Sequence, residues 1–270
     1  MATNILADII AARKQRVAAA KKAMPLEQLR EQAVNLRLAA KPHALSSALN
    51  DSRRVNIIAE FKRRSPSKGV IRADADPVGI ARDYERGGAV AISVLTEEDY
   101  FDGALDDLRA VREEVALPIL RKDFVFDEYQ VYESAAAGAD ALLLIVAALT
   151  DAQLRSLREL AEDELRMDAL VEVHTSEEMQ RALITEGNLI GVNNRDLRTF
   201  SVSLQTSIEL ARNAPEGVTL ISESGLNSSD DLQRLQAHGY KGFLIGERLM
   251  RAARPDLALQ SLLAEPAKRS

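Results

Sequence analysis

The stretch ALLLIVAALTDAQLRSLRELAEDELRMDALVEV (141–173) places a short apolar run, a longer amphipathic segment and a second short run in succession. ALLLIV (141–146) and DALVEV (168–173) have the length and residue types of buried strands. DAQLRSLRELAEDEL (151–165) has helical periodicity and opens on Asp, as helix N-caps often do. Strand, helix and strand in that order make a parallel βα unit.

The same alternation extends in both directions from about Val55. Further strands are expected at VNIIAEF (55–61), VAISVL (90–95), PILRKD (118–123), LIGVN (189–193), VTLISE (218–223) and GFLIG (242–246). With the first two they number eight, which is the count that closes a barrel. Stretches such as DPVGIARDYERG and SSDDLQRLQAHG fill the gaps, and several end at Gly, a helix stop before a tight turn. A doubly wound open sheet is the rival, but it would carry a Gly-rich turn after its first strand, where this chain has Lys62-Arg63-Arg64-Ser65. The expected fold class is α/β, a (β/α)8 TIM barrel over 51–270 with an N-terminal helical arm over 1–50, together one domain. The arm reads as two helices, ILADIIAARKQRVAAAKKA and PLEQLREQAVNLRLAA, with Pro25 starting the second. Cover for one end of the barrel is the simpler reading of this arm, preferred to a part in shaping a pocket.

Composition narrows the function classes. With 35 Lys+Arg against 41 Asp+Glu the chain carries a net charge of −6, which argues against a general nucleic-acid binder. It has no cysteine, which excludes disulfides, thiolate metal sites and Cys nucleophiles. Aromatics make up 4% and Trp is absent, so base-stacking and sugar-platform readings are weak. The longest apolar run, Ala141 to Leu149, is far shorter than the roughly 20 residues a membrane helix needs. The N-terminus MATNILADIIAARKQR has its basic residues after the apolar stretch, the reverse of a secretory signal, so a cytoplasmic location is expected.

Barrel strands are buried on both faces, so a charge at a strand end is costly unless it is partnered or used. Such residues occur on the first strand (Glu60, Lys62), the third (Lys122), the fifth (Glu172), the sixth (Asn193, with Arg195 beyond) and the seventh (Glu223, then Ser224). All lie toward the carboxyl ends, where barrel active sites are built. Glu60 and Lys62 are two apart, so the pleat points both the same way. A plain barrel-end salt bridge would explain any one of them, but five strands carrying polar residues at one end and few at the other is harder to ascribe to chance. The loop Lys62-Arg63-Arg64-Ser65-Pro66-Ser67-Lys68-Gly69 suits an anion, as do the turns Ser224-Gly225 and Gly246-Glu247 after strands seven and eight. A phosphorylated ligand is expected. His43, His174 and His238 lie far apart with no carboxylate at ligand spacing, His174 reading as a barrel-mouth or loop residue, so no metal is expected. Ser224 has no evident His partner for a hydrolase triad, which leaves cofactor-free acid–base chemistry.

The segments IIAEFKRRSPSKG (57–69), VLTEEDYFDG (94–103), PILRKDF (118–124), LLLIVAAL (142–149), LVEVH (170–174), IGVNNRDL (190–197), ISESGL (221–226) and FLIGERLM (243–250) together resemble the motif set of indole-3-glycerol phosphate synthase, in order and over nearly the whole chain. The resemblance implies a lyase of tryptophan biosynthesis. It would close and decarboxylate 1-(2-carboxyphenylamino)-1-deoxyribulose 5-phosphate to indole-3-glycerol phosphate, CO2 and water without a cofactor. It implies Lys122 as acid for ring closure, its pKa drawn toward neutrality, and Lys62 and Glu172 sharing dehydration in an order left open. Glu60 would position the lysines and substrate hydroxyls, with Asn193 and Glu223 completing the polar wall. Ser65, Ser224, Gly225 and Gly246 would surround the phosphate within reach of Lys62, with Arg195 also at the substrate. Phe101, Phe124 and Leu197 would form an apolar slot for the anthranilate ring. Some members have Ser where this chain has Glu247, whose carboxylate is expected to point away from the phosphate. The mouth is expected to gather Lys62, Arg63, Arg64, Lys68, Lys122 and Arg195 against the global charge. A monomer without a fused domain is expected, weak oligomerisation being left open. The alternatives are another phosphosugar isomerase, a Schiff-base aldolase using Lys122, or a catalytically silent barrel whose arm binds a partner.

Overall fold

A computed structural model describes residues 5–51 and 54–264; positions 1–4, 52–53 and 265–270 of the expected arm and barrel lie outside the described residues. The barrel strands are β1 (Ile57–Phe61), β2 (Ala91–Leu95), β3 (Ile119–Lys122), β4 (Ala141–Ile145), β5 (Asp168–Val173), β6 (Leu189–Asn193), β7 (Thr219–Glu223) and β8 (Tyr240–Ile245). Each pairs in parallel with the next, and β8 closes on β1 through the register Ile58↔Leu244. The eight expected strands are these eight, with ends moved by up to two residues. Val146 leaves β4 for a short 3₁₀ turn, Val146–Ala148. Two residue pairs of the loop after β1, Arg64–Ser65 and Gly69–Val70, form a small antiparallel hairpin that periodicity did not suggest.

Among its described residues the arm has three helices: α1 (Ile5–Ala23), α2 (Leu26–Ala39) and α3 (Ala44–Leu49). The third, six residues long, is too short to show a period. Outside the barrel run α4 (Pro77–Gly87), α5 (Leu105–Glu114), α6 (Glu128–Ala136), α7 (Asp151–Glu159), α8 (Ser176–Ile184), α9 (Gln205–Ala211), α10 (Ser229–Gln236), α11 (Glu247–Arg251) and α12 (Pro255–Leu263). Their starts are chemically specified. Asp76 accepts from the Val78 and Gly79 amides, and Thr150 with Gln153 makes a capping box one residue ahead of the expected Asp151 cap. No described helix is long and apolar enough to cross a membrane.

Strand alternation sorts the core into two shells. Ile57, Ala59 and Phe61 of β1 pack with the helix layer, whereas Ile58 joins Leu120, Leu170, Ile221 and Leu244 inside the barrel. Leu45 and Leu49 of α3, fully buried, close the amino end of that interior, at about 1.5–3 kcal/mol of burial each. Arg37 fastens α2 to the same end, donating from Nε to the Leu165 carbonyl at 2.9 Å and from Nη2 to the Arg166 carbonyl at 2.9 Å. At the other end Arg13 of α1 reaches the buried Asp123 at 2.6 Å, immediately beyond Lys122. The arm therefore touches both ends of the barrel.

Candidate active site

The carboxyl ends of the strands open into a cavity of about 770 Å³. Glu60, Lys62, Lys122, Glu172, Asn193 and Glu223 all line it, as do Ser65, Phe101, Phe124, Arg195, Leu197, Ser224, Gly225 and Gly246. The fourteen residues expected to act on or bind the substrate are thus brought to one chamber.

Its centre is Lys122. The ammonium Nζ donates to Glu172 Oε2 at 2.7 Å and to Glu223 Oε2 at 2.8 Å. Lys62, just past the end of β1, pairs with Glu60 of that strand, as the two-residue spacing implied. Burial works against the charge on Lys122, but Glu172, Glu223 and Glu60 outweigh it and raise its pKa above the ordinary lysine value. This reverses the expected downward shift: the chain supplies three acids around the amine, so Lys122 is held charged. For Glu172 burial is likewise opposed, by Lys122, His174 and the Asn193 amide, and its pKa falls to about 2. Glu223 goes the other way, because burial and the neighbouring Glu172 and Glu60 exceed the pull of Lys122 and raise it to about 7. Its Oε1 is buried with no hydrogen-bond partner. The two carboxylates on one lysine are therefore unequal, one a held base and one a site that takes up a proton near neutrality.

Two glycines make room for these acids. A Cβ on Gly191, in mid-β6, would lie 2.2 Å from Glu223 Oε1, and a Cβ on Gly246 would lie 2.3 Å from Glu60 Oε1. Gly246 thus has a steric duty at Glu60 besides its place in the turn leading into α11. Gly191 was not singled out in the sequence, because a glycine within a strand carries no visible partner there. Asn194, also missed, is buried beyond Asn193 and ties three elements together. Its Nδ2 donates to Ser222 Oγ and to the carbonyls of Glu223 and Ser224, while its Oδ1 accepts from Ser207 of α9. This fixes the turn in which Ser224 (φ 66°) and Gly225 (φ 79°) are both left-handed.

The chamber has an apolar side and a basic side. Phe101 and Phe124 tilt toward each other with ring centroids 6.0 Å apart, and Leu197 is on the same lining. Ile5, Leu6 and Ile9 of α1 line it too, so the arm shapes the pocket and is more than cover for one end. On the basic side the structure corrects the expected set. Arg63 turns outward to Asp107 and over the Phe61 ring, and Arg64 lies 3.7 Å from Asp102; neither lines the cavity. Arg248 and Arg251 of α11 take their place beside Lys62, Lys68, Lys122 and Arg195. Glu247 lines the cavity edge but is engaged by Arg251 Nε at 3.1 Å. Glu97, Glu98 and Asp99 lie close enough to share an ion, yet Glu97 accepts the Asp99, Tyr100 and Phe101 amides, and Glu98 and Asp99 pair with Arg13 and Arg16.

Comparison with known proteins agrees with this chemistry. The family model described as Indole-3-glycerol phosphate synthase matches residues 6–262. A protein of that name from Carboxydothermus hydrogenoformans is 47% identical over 263 residues, covering 96% of this chain and 99% of its own. Another, from Laribacter hongkongensis, is 47% identical over 97% of this chain and 100% of its own. Among solved structures, a 3-hexulose-6-phosphate synthase superposes with a TM-score of 0.62 at 14% identity, over 77% of this chain and 97% of that one. A thiamine phosphate pyrophosphorylase from Pyrococcus furiosus does so with 0.60 at 16%, over 79% and 96%. At such identities the structural likeness speaks to the barrel alone.

Proposed function

The chain belongs to the indole-3-glycerol phosphate synthase family, and from that premise we propose that it converts 1-(2-carboxyphenylamino)-1-deoxy-D-ribulose 5-phosphate to indole-3-glycerol phosphate, CO2 and water. The observation that carries this reading is the charged Lys122 held between Glu172 and Glu223 at the foot of a chamber with one aromatic and one basic wall.

In the proposed reaction the ring carbon bearing the carboxylate attacks the ribulose ketone, and Lys122 gives a proton to the carbonyl oxygen as it becomes an alkoxide. A developing alkoxide is a far stronger base than an amine, so an ammonium of raised pKa still donates to it. Loss of CO2 restores the aromatic ring. Dehydration then needs an acid at the departing hydroxyl and a base for the proton lost from carbon, roles given to Lys62 and Glu172. Glu60 holds Lys62, and Asn193 and Glu223 orient Glu172 and Lys122. Phe101, Phe124 and Leu197 receive the anthranilate ring. Ser65, Ser224, Gly225 and Gly246 surround the phosphate, whose charge Arg195, Arg248 and Arg251 offset. No step calls for a metal or a cofactor.

Incubation with the carboxyphenylamino-deoxyribulose phosphate should generate indole fluorescence; its absence overturns the assignment. A Schiff-base aldolase would need a neutral Lys122, which its two carboxylates oppose, and borohydride should trap no adduct there. Arm and barrel are proposed to fold as one domain, supported by the buried Arg37 and Arg13 ties, with a single unfolding transition expected. A cytoplasmic monomer is proposed, with light scattering as the check on self-association.

A further inference from the structure

His174 follows β5 directly and belongs to no step above. Its side chain is only 9% exposed. Nε2 lies 3.4 Å from Glu172 Oε1, the oxygen that Lys122 does not use, and has no hydrogen-bond partner of good geometry. On the far side Nδ1 lies 3.2 Å from Glu178 Oε2, which also accepts the His174 backbone amide at 2.7 Å. Glu178 is itself fixed, in the first turn of α8, where its amide donates to the capping Thr175 hydroxyl at 3.2 Å. An imidazole is thus held by a helix-borne acid and aimed at the buried acid of the site.

We propose that His174, held by Glu178, is a positioning residue that keeps Glu172 ionised and oriented while Lys122 is without its proton. The inference rests on the reading of Glu172 as a base. With His174 protonated, Glu172 has a cation at each oxygen before reaction. When the Lys122 ammonium gives its proton to the carbonyl oxygen it becomes a neutral amine, and one of those cations disappears. A carboxylate left alone in a buried pocket would take up the nearest proton. His174 stays charged through that step, because the reaction draws no proton from it, and Glu172 remains able to act as a base.

Acids make up the nearest charges around the imidazole. Glu178 from α8, Glu172 from β5 and Glu223 from β7 face the imidazole, while Lys122 from β3 stands beyond Glu172, and Lys62 and Glu60 of the first βα unit lie farther across the mouth. Burial works against the imidazolium, but the three acids outweigh it and raise its pKa. An acid at each ring nitrogen also holds the imidazole in one orientation.

Two substitutions and one spectroscopic readout test the proposal. H174N removes the cation, and E178Q keeps an acceptor for the His174 amide while removing the charge that supports the imidazolium. With the carboxyphenylamino-deoxyribulose phosphate as substrate, the acid limb of kcat should move up by about one pH unit in H174N, which is about tenfold in kcat within that limb. It should move in the same direction but less in E178Q, with KM within about twofold in both. E178Q carries the kinetic test alone if H174N does not fold. Independently of turnover, the ring resonance lost in H174N should titrate above free histidine in the parent protein and at lower pH in E172Q. An unmoved acid limb, even with uniformly reduced kcat, overturns the proposal, as does a His174 midpoint indifferent to E172Q. Failure of the parent protein to turn the substrate over would instead overturn the assigned reaction, leaving the titration to report on the His174–Glu172 pair.

Discussion

The two ends of the barrel bury polar groups in opposite ways. At the amino end, Asp168 Oδ2 accepts the Leu45 and Ser46 amides at 2.9 and 3.1 Å, and the Asn56 amide donates to the carbonyls of Leu49, Asp51 and Lys241. Asp140 accepts from the Ile119 amide at 3.0 Å and from Arg112 at 2.7 Å. None of these side chains is among the buried atoms that lack a partner. At the carboxyl end three carboxylates crowd two ammonium groups, and Glu223 Oε1 and His174 Nε2 are left without good hydrogen bonds. A polar group with every bond made stabilises the fold, whereas one with bonds unmade is held ready for something absent. The amino end is structure, and the mouth is chemistry.

That difference can be broken most sharply at the mouth. Lys122→Ala or Glu172→Gln should lower formation of the indole product by about 10³-fold, with the fold intact by circular dichroism. Near-normal turnover in either would dissolve the distinction between the two ends. Gly191→Ala follows. The added methyl would lie 2.2 Å from Glu223 Oε1 and 3.2 Å from Leu170 Cδ1, so the carboxylate must leave Lys122. A fall in kcat of about 10²-fold is expected, with a stability loss of about 1–3 kcal/mol from overpacking. An active Gly191→Ala enzyme would mean that Glu223 does not need its present seat.

Much of this contrast is legible in the sequence, and the remainder has physical reasons for being hidden. Strand positions follow from β-branched and aliphatic runs, and Lys122, Glu172 and Glu223 stand out because a charge in such a run is costly. What a one-dimensional reading does not carry is direction. Arg63 and Arg64 sit in the right loop yet turn away, because Asp107 and Asp102 offer them partners from the next βα unit. Arg248 and Arg251 reach the cavity from a five-residue helix too short to show a face. Gly191 is an absence of side chain whose meaning depends on a residue 32 positions on, and α3 is specified by caps from Asp168 rather than by its own period. The direction of the Lys122 shift is hidden in the sequence for a related reason: its sign depends on how many acids converge on one amine, which topology decides.

The amino end offers the converse test. Asp168→Ala removes the acceptor for the Leu45 and Ser46 amides, in the first turn of the helix that plugs the barrel. A charge-assisted hydrogen bond is worth about 1.5–3 kcal/mol, so a stability loss of about 2–4 kcal/mol by denaturant unfolding is expected. Turnover at a temperature where the variant is folded should stay within about twofold. If kcat fell as steeply as stability, the amino end would be part of the chemistry after all.

Glu223→Gln is the smallest and most specific perturbation, since it changes a proton for an amide and little else. The pKa of Glu223 rises from an ordinary 4.5 to about 7 on folding, through burial and the neighbouring Glu172 and Glu60. The folded protein then binds this proton more tightly than the unfolded chain, so between about pH 4.5 and 7 this group makes stability decline as pH rises, and above 7 the loss is complete. Glu172, lowered to about 2, acts with the opposite sign and below that window, its stabilisation being lost only as pH falls from about 4.5 toward 2. A glutamine cannot titrate, so the Tm of Glu223→Gln should decline less than that of the parent protein between pH 5 and 7.5. At pH 7.5 the variant should be the more stable of the two, by no more than about 3 kcal/mol. Parallel Tm curves over that range would mean that the charge at the mouth is as settled as the hydrogen bonds at the floor, and the contrast between the two ends would then lie in geometry alone.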